Sequence, residues 1–273
     1  MSTTPPPPFR FEYQPATGES GAARVSPWLG FAAALQFLTI SPPLVRRLFT
    51  DAELVASVGY FPLVGLLLGG ILAIWDAGLR WLLPVEVASV LVLAAWIVLT
   101  GGLHIDGFLD SCDALLGGRT PEERLTILRD ERVGAFAVAG GFLLLMLKFT
   151  ALARLESSAS ALLVACVLGR WLICLAILLF PYARAQGLGR TMKDQAGRRE
   201  GLLATLLAVL AVGVIAPVWG LWATIVAVLV GAWAARFTLR RLPGLTGDSY
   251  GAICELGEVA VLVVWAACEK RLA

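Results

Sequence analysis

The sequence predicts an all-α protein: a polytopic transmembrane helix bundle of about six or seven spans, with a short or re-entrant element at its N-terminal edge. Three observations carry this. The chain is 58% hydrophobic and only 15% charged, with a mean hydropathy of +0.80, whereas soluble domains are nearer half apolar and a quarter charged. Its apolar runs approach the roughly 20 residues that a spanning helix needs, and they lack the period-2 alternation of a membrane β-barrel. Lysine and arginine, finally, concentrate in alternate loops. A net charge of +2 gives no footprint for nucleic acid, and no internal repeat is visible.

Taken in order, residues 1–27 are rich in proline and polar residues, include the run PPPP, and lack the apolar core of a secretory signal. They are expected to form a disordered tail, leaving 28–273 as a single membrane-embedded domain. An apolar stretch at 28–40 stops at Ser41-Pro42-Pro43 and reads as a short span or a re-entrant element. Spanning runs follow at 55–75, 87–103, 134–153, 159–180, 201–217 and 218–235. A last stretch, 251–268, carries Glu255 and Glu258 in its first half. The five cysteines have neither metal nor disulfide spacing and read as small core residues.

The loops set an expected orientation. Arg46 and Arg47 precede the first long run. Arg119, Arg124, Arg129 and Arg132 follow the second, Arg184, Arg190, Lys193, Arg198 and Arg199 the fourth, and Arg236, Arg240 and Arg241 the sixth. The intervening connections are short and carry few cations. By the positive-inside rule the basic loops face the cytoplasm, and every loop with a motif-like polar cluster lies on that side. This points to one site facing the cytoplasm.

The most unusual stretch is GGLHIDGFLDSCDALLGGR. Asp106, Asp110 and Asp113 stand at i, i+4 and i+7, within roughly a 60° arc of a helix. Three carboxylates on one face at a membrane edge repel one another and are costly to desolvate, so a cation is expected among them. Oxygen ligands without His or Cys suit Mg²⁺ or Mn²⁺ better than zinc, and Mg²⁺ completes its shell with waters and substrate phosphates. The spacing reads as a metal–phosphate site; the plainer reading is a solvated acidic helix start.

The loop continues TPEERLTILRDERVGAF. Thr120, Pro121 and Glu123 fit the N-cap, N1 and N3 of a capping box, and Leu125 and Leu128 would then face the membrane surface. Arg129, Asp130, Glu131 and Arg132 close the loop. Two cations lie within spans. Lys148 in LLLMLKFTAL either snorkels or meets a partner. Arg170 in VACVLGRWLICL is too central to snorkel and requires an acid or a polar cavity. A further cluster, LPGLTGDSYGAICELGE, joins Asp248, Glu255 and Glu258 to three glycines. His104 is the only histidine.

Together, GGLHIDGFLDSCDALLGG, RDERVGAF, LKFTAL and LTGDSYGAICELGE, with ALQFLTISPP near the start, resemble the cobalamin (5′-phosphate) synthase family, the adenosylcobinamide-GDP ribazoletransferases. The likeness covers about residues 30–270 and departs at Cys112 and at Ala114–Leu115. It implies a Mg²⁺-dependent inner-membrane enzyme that joins adenosylcobinamide-GDP to α-ribazole or its 5′-phosphate, releases GMP, and yields adenosylcobalamin or its 5′-phosphate. The family's DGxxDxxD acids map onto Asp106, Asp110 and Asp113, expected as metal ligands and catalytic residues. Its TGD…E…E acids map onto Asp248, Glu255 and Glu258. With this chemistry Arg129, Arg132, Lys148 and Arg170 become candidates for binding phosphate oxygens, with Glu258 beside them. Asp130, Asp248, Glu255 and His104 become candidates for the base. A CDP-alcohol phosphotransferase is the nearest alternative, but DGFLDSCD lacks the Ala-Arg that follows its first Asp-Gly. A cation channel would place polar residues along several spans rather than at one face. An oligomer is compatible with the sequence and unsupported by it.

Overall fold

The structure is a computed structural model that describes residues 25–269. Residues 1–24, most of the expected tail, lie outside the described residues, and Pro27 is already the first residue of helix α1, Pro27–Leu38. The described residues form no strand. α2 (Asp51–Ser57) passes through one 3₁₀ turn into α3 (Phe61–Leu82), and α4 (Val85–Leu99), α5 (Leu103–Gly117), α6 (Pro121–Ile127), α7 (Ala135–Arg154) and α8 (Ala159–Leu179) follow. α9 (Leu188–Gln195), α10 (Arg198–Ile215), α11 (Trp219–Leu239) and α12 (Gly247–Glu269) complete the chain.

Among the described residues five helices are long and apolar enough to cross a membrane: 51–82, α7, α8, α11 and α12. α4 and α5 qualify only together, and they are bent by 91°. This corrects two expected spans. The run 87–103 ends as a helix at Leu99, because Gly101 and Gly102 adopt φ of +60° and +71°, a left-handed backbone open mainly to glycine. The run 201–217 belongs to α10, whose first turn holds Arg198, Arg199 and Glu200 and so shortens its apolar part. The element at 28–40 is α1, with 12 residues too short to span. Its exit is fastened to the end of α4, where the Ile40 N–H donates to the Leu99 carbonyl at 2.9 Å.

α8 is the central helix. It buries Leu162, Val164, Val167, Leu168, Ile173 and Ile177 on all sides, as a helix apolar all round should. α3 reaches its backbone through Gly65 and Gly69: a Cβ at Gly65 would lie 2.3 Å from the Cys166 carbonyl oxygen, and one at Gly69 2.7 Å from Leu163 Cα. Small residues four apart are the usual device for close helix contact in lipid. Ile74, Trp81, Phe142, Leu202, Val214 and Leu229 point outward and are exposed. Such a girdle would be an aggregation hazard in water and is the natural surface of a bundle in hydrocarbon.

At one end Arg80 seals the bundle. Its guanidinium bonds Asp76 at 2.6 Å and caps α7 through the carbonyls of Leu155 (2.7 Å) and Leu152 (2.9 Å), and the Ser158 hydroxyl also donates to Asp76. The motif-bearing loops gather at the opposite end. There Thr120 accepts from the Glu123 N–H at 3.2 Å and starts α6 as expected. Leu125 and Leu128, however, pack inward with Ala114 and Leu242 instead of facing the membrane surface, because α5 and the loop after α11 offer an apolar seat directly beneath them.

Candidate active site

The bend after α4 lays α5 across the bundle, where it meets the start of α12 backbone to backbone. A Cβ at Gly107 would stand 2.9 Å from Asp248 Cα, and one at Gly251 would stand 2.8 Å from the His104 carbonyl oxygen. Glycine at both positions is what lets Asp106 and Asp248 approach one opening. α12 is started there by Thr246, whose hydroxyl accepts from the Ser249 N–H at 3.2 Å, a serviceable N-cap.

Other loops are tied to the same place. The Ala183 N–H donates to the Leu245 carbonyl and the Leu245 N–H to the Pro181 carbonyl, each at 2.8 Å. Arg184 Nη2 donates to Asp248 Oδ2 at 2.8 Å and to the Leu128 carbonyl at 3.2 Å. The three polar segments that the positive-charge pattern places on one side, 104–133, 181–200 and 236–258, are therefore physically joined.

Between them lies a cavity of about 320 Å³. Asp106, Asp248 and Arg184 supply its charged part. Phe37, Phe61, Ile173, Ile177 and Met192 supply apolar wall, and Tyr182 and Tyr250 stack with ring centroids 6.0 Å apart. His104 also borders it, buried, and neither ring nitrogen has a hydrogen-bond partner. Asp110, one turn beyond Asp106, is set among the like charges of Asp106, Asp248 and Asp113, with Arg184 as the main opposing charge. The site is thus short of positive charge.

The expected residues divide into separate places. Asp106, Asp110 and Asp248 come together. Asp113 is adjacent, but both of its oxygens are engaged at the start of α7, accepting from the N–H groups of Gly134 at 2.6 Å and Ala137 at 2.9 Å. No group of three or more His, Cys, Asp or Glu side chains is close enough to enclose a metal ion by itself among the described residues. Asp130 is exposed and paired with Arg132 at 2.7 Å, which holds its carboxyl below the usual carboxylate range. Arg129 is likewise exposed, next to the Leu128 carbonyl that Arg184 grips.

Lys148, Arg170, Glu255 and Glu258 form a second, internal cluster. Lys148 lies 2.6 Å from both Glu255 and Glu258 and 4.3 Å above the Trp96 ring. Arg170 is ion-paired with Glu258. All four side chains are at most 8% exposed, so Lys148 does not snorkel and Arg170 has an acid partner. Arg184, Tyr182 and Tyr250 are the site residues that sequence reasoning missed. Arg184 stood out only as one of many loop cations, and nothing in PYARAQG distinguishes it from its neighbours.

The family model described as cobalamin-5-phosphate synthase matches residues 30–266. A protein of Pseudomonas fluorescens (strain Pf-5) named adenosylcobinamide-GDP ribazoletransferase is 42% identical over 238 residues, covering 86% of this chain and 98% of the relative. Proteins of the same name from Roseiflexus sp. (strain RS-1) and Desulfitobacterium hafniense (strain Y51) are 39% and 41% identical, covering 86% and 84% of this chain and 88% and 93% of theirs. No solved structure matches the chain. With a family model and relatives that span nearly all of the described helices, the chain belongs to the cobalamin-5-phosphate synthase family.

Proposed function

We propose that the chain joins adenosylcobinamide-GDP to α-ribazole, or its 5′-phosphate, to give adenosylcobalamin, or its 5′-phosphate, with release of GMP. We place the reaction at the cytoplasmic face of the inner membrane, with Mg²⁺ as cofactor. The observation that carries this is the meeting of Asp106, Asp248 and Arg184 at the mouth of a cavity, with Asp110 one turn away, in a chain whose named relatives are ribazoletransferases.

The donor set fits Mg²⁺. The carboxylates outnumber their counter-cation, and their oxygens are hard ligands. Mg²⁺ ordinarily takes one or two carboxylates and fills its shell with waters and phosphate oxygens, so a closed protein cage is not required. Asp106 and Asp110 would hold it, Asp113 being engaged by α7. When bound, the metal would neutralise diphosphate charge and stabilise departing GMP.

The protein's own residues position and deprotonate. Phosphoryl transfer asks for alignment and charge compensation more than covalent chemistry. A free ribose hydroxyl of the nucleoside, other than the 5′ position that carries phosphate in the alternative acceptor, bonds through its oxygen to the phosphorus bearing the cobinamide, the bond from that phosphorus to the GMP oxygen breaks, and the hydroxyl proton passes to a carboxylate. Asp248 is placed to take it. Its present partner Arg184 can turn its planar fork to the phosphate oxygens, releasing Asp248 as a base while substrate is bound. Arg129 is exposed next to Leu128, whose carbonyl Arg184 holds. The test is purified protein in detergent with adenosylcobinamide-GDP, α-ribazole and Mg²⁺. Cobalamin and GMP should appear in equal amounts, and chelation of the metal should stop both. Failure of wild-type protein to release GMP, or release independent of a divalent ion, would overturn the respective part of the proposal.

A further inference from the structure

We infer that the inner part of the cavity seats the nucleoside substrate, with its planar base pointing inward and its reacting ribose hydroxyl at the carboxylate mouth, while the corrinoid GDP ester remains outside. The inference rests on the ribazoletransferase reading and assigns its two substrates to separate places. Size is the first argument. About 320 Å³ is at the small end of small-molecule pockets, enough for a fused-ring base with its ribose and far too little for a corrin macrocycle carrying a nucleotide.

The walls are the second argument. Phe37 and Phe61 stack 6.1 Å apart on one side, and Ile173, Ile177 and Met192 close the interior. These are partners for a flat apolar ring. Guanine carries donors and acceptors along its edge, and burying them unpaired against such walls is costly, so the GDP ester is poorly served here.

The third argument is the hydroxyl of Tyr250. The residue is 6% exposed and its Oη has no hydrogen-bond partner. Buried polar atoms are ordinarily satisfied, and a small turn of the ring toward the cavity that Tyr250 lines would let a ring nitrogen or a ribose hydroxyl of the nucleoside satisfy this one. The direction follows from the charged groups. Asp106, Asp248 and Arg184 sit together at the mouth, so only the ribose end of the nucleoside belongs beside them.

Two variants of the full-length protein in detergent test this, read by the KM for each substrate and by calorimetric binding of α-ribazole alone. Met192→Trp fills the interior and should raise the KM for α-ribazole at least about tenfold. Tyr250→Phe keeps shape and should raise it roughly fivefold, as loss of one hydrogen bond does, with thermal stability no lower than wild type because no internal bond is lost. The KM for adenosylcobinamide-GDP should stay within about twofold in both. Unchanged α-ribazole KM values, or a selective rise in KM for the GDP ester, would overturn the inference. If wild type fails to turn over, the ribazoletransferase reading is what falls. Calorimetry then decides the cavity separately: α-ribazole binding that Met192→Trp abolishes supports it, and absence of binding to wild type refutes it.

Discussion

Arg170→Leu is the most informative perturbation of the internal cluster. The cluster holds two cations and two carboxylates, Lys148 and Arg170 against Glu255 and Glu258, with at most 8% exposure for any side chain. It is neutral as a whole. Removing Arg170 leaves one uncompensated carboxylate in a buried setting that screens it poorly, and breaking one partner from a buried pair costs about 3–5 kcal/mol. For a soluble domain of this length that corresponds to roughly 2–4 °C per kcal/mol, so a fall on the order of 10 °C in detergent is expected. Removing the charge of Glu258 at the same time restores balance. Arg170→Leu combined with Glu258→Gln should therefore recover much of the loss, and the double-mutant cycle should show a coupling of at least about 1 kcal/mol. Thermal unfolding of purified protein by intrinsic fluorescence gives all four corners of the cycle. An Arg170→Leu protein as stable as wild type but with a raised KM for adenosylcobinamide-GDP would refute the reasoning, and would mean that the guanidinium serves the diphosphate rather than Glu258.

Other expectations are independent of that cluster. Asp106→Asn should reduce GMP release by at least about a hundredfold, as loss of one key electrostatic group in a transfer site does, with wild-type thermal stability; retained turnover at ordinary Mg²⁺ would remove Asp106 from the site. Asp113→Ala should act on folding first, lowering stability by about 1–3 kcal/mol because two N–H groups of α7 lose their acceptor; loss of turnover with unchanged melting would restore Asp113 to the metal. Gly107→Ala should depress turnover by parting α5 from α12, since its Cβ would meet Asp248 backbone at 2.9 Å; wild-type rates would show that the crossing is not needed. Cysteines placed singly in 104–133, 181–200 and 236–258 of a cysteine-free chain should all label from the cytoplasmic side; labelling of any one only from outside would break the proposed orientation.

What the sequence discloses and what it hides have a common physical basis. Hydropathy along one chain reports local burial, so α3, α7, α8, α11 and α12 are legible. It does not report axis direction, so a run through 87–103 looks continuous although two positive-φ glycines turn it by 91°. Helical periodicity correctly sets Asp106, Asp110 and Asp113 on neighbouring turns. It cannot show that α7 begins beside the last of them, where two N–H groups need an acceptor. The energetic cost of charge in lipid singles out Lys148 and Arg170 without naming their partners, because the identity of a partner depends on which helices touch. Arg184, Tyr182 and Tyr250 carry no such anomaly. An arginine in a basic loop and a tyrosine at a helix start are ordinary, and only the pairing of 181–183 with 245 gives them a common place.

The acids at the edge of an apolar run acquire a reason from the bend. Had α4 continued straight, Asp106, Asp110 and Asp113 would have protruded beyond the bundle as a solvated helix, with nothing to hold a substrate against them. Folded across the end, α5 presents its acidic face to the start of α12 and to the loops after α6 and α8. α12 then carries two polar systems along its length: Asp248 at the cavity, and Glu255 and Glu258 about two turns deeper, locked to α7 and α8 by Lys148 and Arg170. The deeper lock fixes the height and rotation of α12, and through them the position of Asp248 against Gly107. A charge cluster that contacts no substrate can in this way govern the geometry of the one that does. Arg170→Leu should accordingly impair turnover even in its folded fraction, whereas Arg170→Leu with Glu258→Gln should regain stability ahead of activity.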